Sequence, residues 1–173
     1  QISQAGTEAS GTSNMKFMIN GAVTLGTLDG ANVEIHEAVG DDNIILFGMT
    51  TPEVSALRRS GYRPRVFYEN NPIIRNAIDE MNKGFCGVSF RNITDSLLNE
   101  DPYMVLADFE SYSQAQKRAE ALYNDHARWN QMGLVNIAKA GRFAADRAIR
   151  EYADNIWHAT PVPPAPAADK TVK

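Results

Sequence analysis

The sequence predicts an α/β fold with few strands and many helices. Two apolar runs, "AVTLGT" (residues 22–27) and "NIILFG" (residues 43–48), have the composition of buried strands, and each is followed by a helical pattern. The rest of the chain repeats apolar residues at three- and four-residue spacing, as helices do. Because two strands do not make an α/β sheet of ordinary size, we expect the remaining strands to precede Gln1.

Capping and turn residues place three helices in the first part of the chain. The predicted helices cover residues 15–19, 32–39 and 52–60. Thr12 or Ser13 is expected to cap the first helix, and Thr51 to cap the third, which has Pro52 at its first position. Asn-Gly and Asp-Gly pairs predict the turns between these helices and the strands.

Five further segments predict helices in the remainder of the chain, with Gly- or Asp-containing breaks between them. They are "NPIIRNAIDEMNKG", "RNITDSLLNE", "FESYSQAQKRAEALYND", "HARWNQMGLVNIAKAG" and "FAADRAIREYADNIW". The final stretch, "ATPVPPAPAADKTVK", is rich in Pro and Ala and lacks apolar periodicity. We therefore expect one domain over residues 1–158 and a disordered tail over residues 159–173.

Composition and charge argue against several function classes. At 173 residues and 43% hydrophobic, the chain can bury a core of ordinary size. A net charge of -4 argues against nucleic acid or an anionic membrane surface as a partner. No apolar run approaches the ~20 residues of a membrane helix, and no targeting segment is visible. The single cysteine, Cys86, cannot form an internal disulfide, so we expect a reducing, cytoplasmic compartment.

The stretch "EASGTSNMKFM" (residues 8–18) is the leading candidate for a functional site. Small and hydroxyl residues before a helix start leave backbone N–H groups free, and the helix dipole there favours an anion such as phosphate. Lys16 lies four positions after Thr12, on the same helical face and about 6 Å along the axis. That spacing suits pyridoxal phosphate, whose aldehyde and phosphate arm are on neighbouring ring atoms. An ordinary loop, cap and solvated lysine also fit, so spacing alone leaves both interpretations open.

The longer string "EASGTSNMKFMINGAVTLGTLDGANVEI" (residues 8–35) resembles the cofactor-lysine segment of the α-glucan phosphorylases, which act on glycogen, starch or maltodextrin. The resemblance continues through "NIILFG", "RRSGY", "VLADFESY" and "FAADRAIREYADNIW". It implies the C-terminal part of a longer enzyme of glycosyltransferase type, in which two Rossmann-like domains face each other across the active-site cleft. This chain would be the last part of the second, cofactor-binding domain.

The same resemblance implies roles for individual residues. It implies a cofactor site formed by Gly11, Thr12, Ser13 and Lys16. It implies a glucosyl site formed by Glu8, Ser10 and Gly11. Lys16 would be the catalytic lysine that holds pyridoxal phosphate as an imine, while Thr12 and the backbone N–H of Ser13 would contact its phosphate. Many members have Gly at the position of Ser13, and a backbone contact survives that change.

The reaction implied by the resemblance is phosphorolysis, in which inorganic phosphate releases the terminal glucose of an α-1,4-glucan as glucose 1-phosphate. In this family the phosphate of the cofactor relays a proton to the substrate phosphate. We expect a homodimeric full-length enzyme and no activity from these 173 residues alone. Two alternatives are a non-catalytic interaction module that keeps the fold and a cofactor-free glycosyltransferase of similar fold.

Other residues that could form sites have simpler interpretations. The histidines lack the spacing of metal ligands, and we expect no metal site from His36, His126 and His158. Asp29 and Glu34 are interpreted as a turn former and a helix-surface charge, not as a carboxylate pair for glycoside hydrolysis. The arginines of "RRSGYRPR" are interpreted as a solvated helix end with a turn. Trp129 and Trp157 are predicted to be core anchors.

Overall fold

Two short parallel strands lie at the centre of the first part of the structure, a computed structural model that describes residues 1–162. Strand β1 (Leu25–Gly26) pairs with strand β2 (Ile45–Leu46), and Leu25 lies opposite Ile45. The backbone nitrogen of Ile45 donates to the carbonyl oxygen of Thr24 at 2.9 Å. Both strands lie inside the predicted apolar runs but are shorter than those runs. Their parallel pairing confirms the predicted α/β class.

Helices make up most of the described chain. They are α1 (Thr12–Ile19), α2 (Ala31–Val39), α3 (Thr51–Arg59), α4 (Pro64–Asn70), α5 (Pro72–Lys83), α6 (Arg91–Asn99), α7 (Val105–Asn124), α8 (His126–Lys139) and α9 (Ala145–Tyr152). The five helices predicted after residue 70 are confirmed as α5 to α9. Helix α4 is an addition, because the sequence predicts only a turn there, whereas buried Pro64 begins a helix at its first position.

The start of α1 differs from the predicted start. The helix begins at Thr12, three residues earlier than expected, and its N-cap is Gly11 with a φ of 82° and no side-chain cap. The prediction that Thr12 or Ser13 caps the helix is therefore wrong, since both residues lie in its first turn. Glycine adopts this left-handed backbone conformation without steric cost. The chain can therefore turn sharply from the preceding loop into the helix.

The start of α3 is displaced from its prediction by one residue. Thr50, rather than Thr51, is the N-cap, and its backbone nitrogen donates to Oε2 of Glu53 at 2.7 Å. This contact belongs to a capping box, in which the Thr50 side chain also accepts from the backbone of Glu53, the third helical residue. Thr51 and Pro52 then occupy the first turn.

Three clusters of buried apolar side chains contribute to the core of residues 1–140. The first joins β2 to α7 and α8 through Ile45, Phe47, Ala115 and Met132. The second contains Ala5, Val54 and Met104, and the third contains Ile74, Ile78 and Leu106. Trp129 packs against the first cluster, which confirms its predicted role.

Helix α8 packs closely against the end of α1. A Cβ atom built on Gly133 would lie 3.0 Å from the carbonyl oxygen of Gly21, and one built on Gly21 would lie 3.1 Å from Cδ1 of Ile137. A methyl group at Gly133 would press on backbone, whereas one at Gly21 would require the end of the Ile137 side chain to shift. The turn after α1 is therefore fixed against the backbone of α8.

A second compact unit begins at Gly141, and the structure describes it as far as residue 162. It contains α9, continued by a π-helical turn at Ala153–Trp157. Trp157 stacks on Tyr152 with ring centroids 5.5 Å apart but is 60% exposed, so its prediction as a core anchor is wrong.

Two other predictions concern the tail at the end of the chain and the possibility of a metal site. Most of the predicted tail, residues 163–173, lies outside the described residues, and residues 159–162 have no regular secondary structure. Within residues 1–162 no group of three His, Cys, Asp or Glu side chains is placed to hold a metal ion. In the same part of the chain, each helix is too short or too polar to cross a membrane.

Candidate functional site

The predicted site residues lie together on one short segment, the loop over residues 6–11 and the first turns of α1. Ser10, Thr12, Ser13 and Lys16 are exposed, whereas Glu8 is half-buried. Solvent can therefore reach the helix N-terminus and the lysine together. The structure thus brings all six predicted residues together, three on the loop before α1 and three in the helix itself.

The first turn of α1 presents backbone donors that the described chain does not use. The nitrogen of Asn14 donates to the carbonyl oxygen of Gly11 at 3.0 Å, which closes the first turn. Within residues 1–162, the N–H groups of Thr12 and Ser13 have no acceptor. Free N–H groups at the positive end of a helix dipole form an anion site, and a phosphate group suits it.

Lys16 lies one helical turn beyond these donors. Its side chain is exposed and has no ion pair or hydrogen bond within the described residues, so its amino group is available. The carbonyl oxygen of Lys16 accepts a 2.7 Å hydrogen bond from Nδ2 of Asn20, which holds the last turn of α1. At ~1.5 Å per residue, Lys16 lies about 6 Å along the axis from Thr12.

Asp29 fixes the loop that carries the predicted glucosyl residues. Its Oδ2 accepts hydrogen bonds from the backbone nitrogens of Glu8 at 2.8 Å and Thr7 at 3.0 Å. Partial burial raises the pKa of Asp29, but the backbone amides of Glu8, Gly6, Thr7 and Gly30 outweigh it and hold the pKa below its usual range. The ionised carboxylate therefore orders the loop at neutral pH.

Gly30 lets the same loop lie directly on the start of α2. A Cβ atom at this position would lie 2.8 Å from Cγ of Glu8 and 3.0 Å from the carbonyl oxygen of Ser10. The nitrogen of Ala31 donates to that carbonyl at 2.6 Å. Since Gly30 also has a φ of 52°, position 30 requires glycine for both space and backbone conformation.

A buried amide network joins α1 to α2 behind the site. Nδ2 of Asn14 donates to Oδ1 of Asn32 at 2.8 Å, and Nδ2 of Asn32 donates to the carbonyl oxygen of Thr27 at 2.9 Å. Asn32 is fully buried, so these bonds satisfy polar atoms that water cannot reach. The network fixes the direction of α1 and hence of its N-terminus.

Sequence patterns did not identify the supporting roles of Asp29, Gly30 and Asn32. The predicted turn at Asp29 is present, since its nitrogen donates to the carbonyl oxygen of Thr27 at 3.0 Å. The Asp-Gly pair signals that turn but carries no information about a loop 21 residues earlier in the chain. One arginine of the segment "RRSGYRPR", Arg65, donates a hydrogen bond to Oδ1 of Asn99 at 2.8 Å.

The architecture is a helix-rich α/β fold, and comparison with known proteins identifies its family. Residues 1–159 match the family model described as carbohydrate phosphorylase. The chain belongs to the carbohydrate phosphorylase family, and its predicted resemblance is confirmed at that level.

Individual relatives carry the name glycogen phosphorylase. The chain is 50% identical over 166 residues to glycogen phosphorylase of Synechocystis sp., which is 94% of this chain and 20% of the relative. It is 47% identical over 165 residues to the liver form of Homo sapiens, and 45% identical over 165 residues to the muscle form of Bos taurus. In both, the match covers 93% of this chain and 20% of the relative. The chain thus spans about a fifth of the length of these relatives.

Proposed function

We propose that this chain forms the pyridoxal phosphate-binding end of an α-1,4-glucan phosphorylase. The observation that carries the proposal is the pair of unused N–H groups at Thr12 and Ser13, followed one turn later by the unpaired amino group of Lys16. Relatives named glycogen phosphorylase support the substrate class. The enzyme transfers the terminal glucose of the glucan to inorganic phosphate and releases glucose 1-phosphate.

The residues at the start of α1 fit the cofactor. The exposed hydroxyl of Thr12 and the N–H groups of Thr12 and Ser13 would hold its phosphate, while Gly11 provides the sharp entry into the helix. Lys16 would hold the aldehyde end through its amino group. When bound, the cofactor supplies a phosphate group with a second pKa of ~6, which exchanges a proton with the substrate phosphate near neutral pH.

The loop before α1 binds the glucosyl unit. The carbonyl oxygen of Ser10 is occupied by the nitrogen of Ala31, whereas the N–H groups of Ser10 and Gly11 have no acceptor within residues 1–162. These two donors and the carboxylate of Glu8 therefore remain for sugar hydroxyls. Oε2 of Glu8 accepts only a long hydrogen bond, 3.3 Å, from the Ser3 hydroxyl, so the carboxylate keeps capacity for a ligand.

The proposed working enzyme is a cytoplasmic homodimer that acts on glucan and inorganic phosphate, with no nucleic-acid or membrane partner. The net charge of -4 supports the exclusion of polyanions. The 173-residue chain alone is inactive, because the catalytic cleft requires a second domain facing this one. A turnover assay with glucan, phosphate and added cofactor tests this, and release of glucose 1-phosphate by the chain alone would contradict it.

Reductive labelling of the full-length protein tests the cofactor assignment. Borohydride reduction in the presence of pyridoxal phosphate is expected to fix the cofactor on Lys16, as located by peptide mapping. Lys16→Arg should abolish the adduct, because a guanidinium forms no stable imine. The matched control is Lys139→Arg, which changes an exposed lysine at the end of α8 and should leave the adduct intact.

Each outcome separates the proposed function from its alternatives. An adduct on Lys83, Lys117 or Lys139 would overturn the site assignment. Absence of any adduct, together with glucosyl transfer, would favour a cofactor-free glycosyltransferase. An adduct without release of glucose 1-phosphate by the full-length protein would favour a non-catalytic module.

A further inference from the structure

A cavity of about 220 Å³ lies between the first residues of the chain, the end of β2 and the start of α7. Four aromatic side chains line it, namely Phe47, Tyr103, Phe109 and Tyr112, and the rings of Phe47 and Tyr112 meet edge to face at 5.1 Å. The polar residues Gln4 and Asp108 also line it. Apolar walls with a few placed polar groups are typical of small-molecule sites.

Gln4 contributes a hydrogen-bond donor that the described chain does not use. The residue is 4% exposed, and its Nε2 is buried without a hydrogen-bond partner within residues 1–162. Among the described residues, its Oε1 accepts only one long hydrogen bond, 3.5 Å, from a guanidinium nitrogen of Arg58. A buried amide donor without an acceptor is rare in native proteins, and a ligand is one explanation for it.

Asp108 contributes an acceptor in the same cavity. The residue is 8% exposed, and its Oδ1 accepts a 2.9 Å hydrogen bond from the backbone nitrogen of Met49. Within the described residues Oδ2 accepts no hydrogen bond. Burial raises the pKa of Asp108, and the negative charges of Asp101 and Glu53 add to the effect, although the Met49 amide opposes it. A donor from a ligand would stabilise this carboxylate.

We propose that the cavity binds a small aromatic compound bearing a carboxamide or a group of the same hydrogen-bonding pattern. The ring lies among Phe47, Phe109 and Tyr112, the ligand carbonyl accepts from Nε2 of Gln4, and the ligand N–H donates to Oδ2 of Asp108. The cavity volume is suited to a compound with a single ring. None of the residues assigned to cofactor or glucose lines this cavity, so the inference goes beyond the proposed function.

Fluorine NMR on the full-length protein tests the inference with two probes that share a ring. 4-Fluorobenzamide carries the carboxamide, and 4-fluorotoluene replaces it with a methyl group. We expect the amide to bind at least tenfold more tightly than the toluene, measured by line broadening during titration. Equal affinities, or absence of amide binding at millimolar concentration, would overturn the proposal.

Variants assign the binding to this cavity. Gln4→Met and Asp108→Asn should each weaken 4-fluorobenzamide binding at least fivefold and leave 4-fluorotoluene binding nearly unchanged. The matched controls are Gln114→Met and Asp95→Asn, which alter exposed residues of α7 and α6 and should retain wild-type affinity. Wild-type amide affinity in folded Gln4→Met would contradict the proposal. If Gln4→Met does not fold, the two-probe comparison and Asp108→Asn decide it.

Discussion

The Oδ2 atom of Asp29 lies 2.8 Å from the backbone nitrogen of Glu8 and joins two parts of the chain 21 residues apart. Glu8 is a proposed glucosyl-binding residue, whereas Asp29 lies in the turn before α2. The position of the sugar site therefore depends on a charged side chain that would not itself touch the sugar.

Removal of this carboxylate should loosen the loop. Asp29→Ala deletes the acceptor of two backbone amides, and we expect the free energy of unfolding to fall by roughly 1–3 kcal/mol, measured by urea denaturation. Asp29→Asn keeps one acceptor oxygen and should cost less. Asp95→Ala changes an exposed carboxylate of α6 and serves as the control. A similar loss in Asp29→Ala and Asp95→Ala would contradict the role of Asp29.

The same contact predicts a pH dependence. The pKa of Asp29 is lowered in the folded chain, so its contribution to stability is fully present above the ordinary aspartate pKa of about 3.9 and is lost as the pH falls through the lowered value. The amide proton shifts of Thr7 and Glu8 should report this titration, with a midpoint below pH ~3.9. In Asp29→Asn the titration should disappear. A midpoint above that of a model aspartate would reverse the sign and reject the assignment.

A methyl group at position 30 should disturb the site more than one at another glycine of similar backbone conformation. Gly30→Ala introduces both a residue at positive φ and contacts with Glu8 and the carbonyl oxygen of Ser10. Gly61→Ala also places alanine at positive φ, but no atom lies within 4 Å of its Cβ. Thermal unfolding should show an extra loss of roughly 1–3 kcal/mol for Gly30→Ala, the usual cost of overpacking. Equal losses would show that the loop accommodates the methyl group.

Thr12 and Ser13 are proposed to contact the cofactor phosphate in different ways, Thr12 through its hydroxyl and Ser13 through its backbone N–H. Thr12→Val removes the exposed hydroxyl and should weaken cofactor retention by roughly 1.5–3 kcal/mol, about ten- to a hundredfold in Kd. Ser13→Ala is the matched control, because only the backbone N–H of Ser13 is assigned to the phosphate. Equilibrium dialysis of pyridoxal phosphate with the full-length protein measures both. A larger loss in Ser13→Ala than in Thr12→Val would contradict the assignment.

Tyr62 and Asp101 predict a loss of stability in alkali. The Tyr62 hydroxyl donates to Oδ2 of Asp101 at 2.6 Å; burial, followed by this bond, raises the pKa of Tyr62 far above its usual range. The unfolded chain loses that proton near pH ~10, so stability is full below that pH and falls as the pH rises above it. Urea denaturation at pH 9 and pH 11 should show a smaller drop for Tyr62→Phe than for wild type. Tyr123→Phe, at the exposed end of α7, should behave as wild type.

Local sequence patterns predicted the elements that depend on local chemistry. Apolar periodicity identified α5 to α9, and the two apolar runs identified a parallel strand pair, because both signals reflect which residues face a core. The capping prediction for α1 failed because it relied on the general preference for hydroxyl residues as caps. The loop before α1 instead requires a left-handed backbone at the cap, which Gly11 adopts. The prediction for Trp157 failed because amphipathic spacing indicates an apolar face without indicating what covers it.

Some residues of the candidate site could be predicted from the sequence, and others could not. The spacing of Thr12 and Lys16 and the resemblance of the surrounding string identified the candidate segment from sequence alone. The supporting contacts of Asp29, Gly30 and Asn32 depend on how distant segments meet, and single-residue preferences carry little information about that. They became visible only with the structure.

The close approach of Gly133 to Gly21 has a consequence for interpreting genetic variants. Gly133 lies in α8, more than a hundred residues after Lys16, and the atom nearest to a Cβ built on it is the carbonyl oxygen of Gly21. A larger side chain there would push on the turn that ends α1 and so displace the helix that carries Lys16. With the cofactor held as proposed, such an allele would lower enzyme activity through loss of the cofactor, although the altered codon lies far from the proposed cofactor segment.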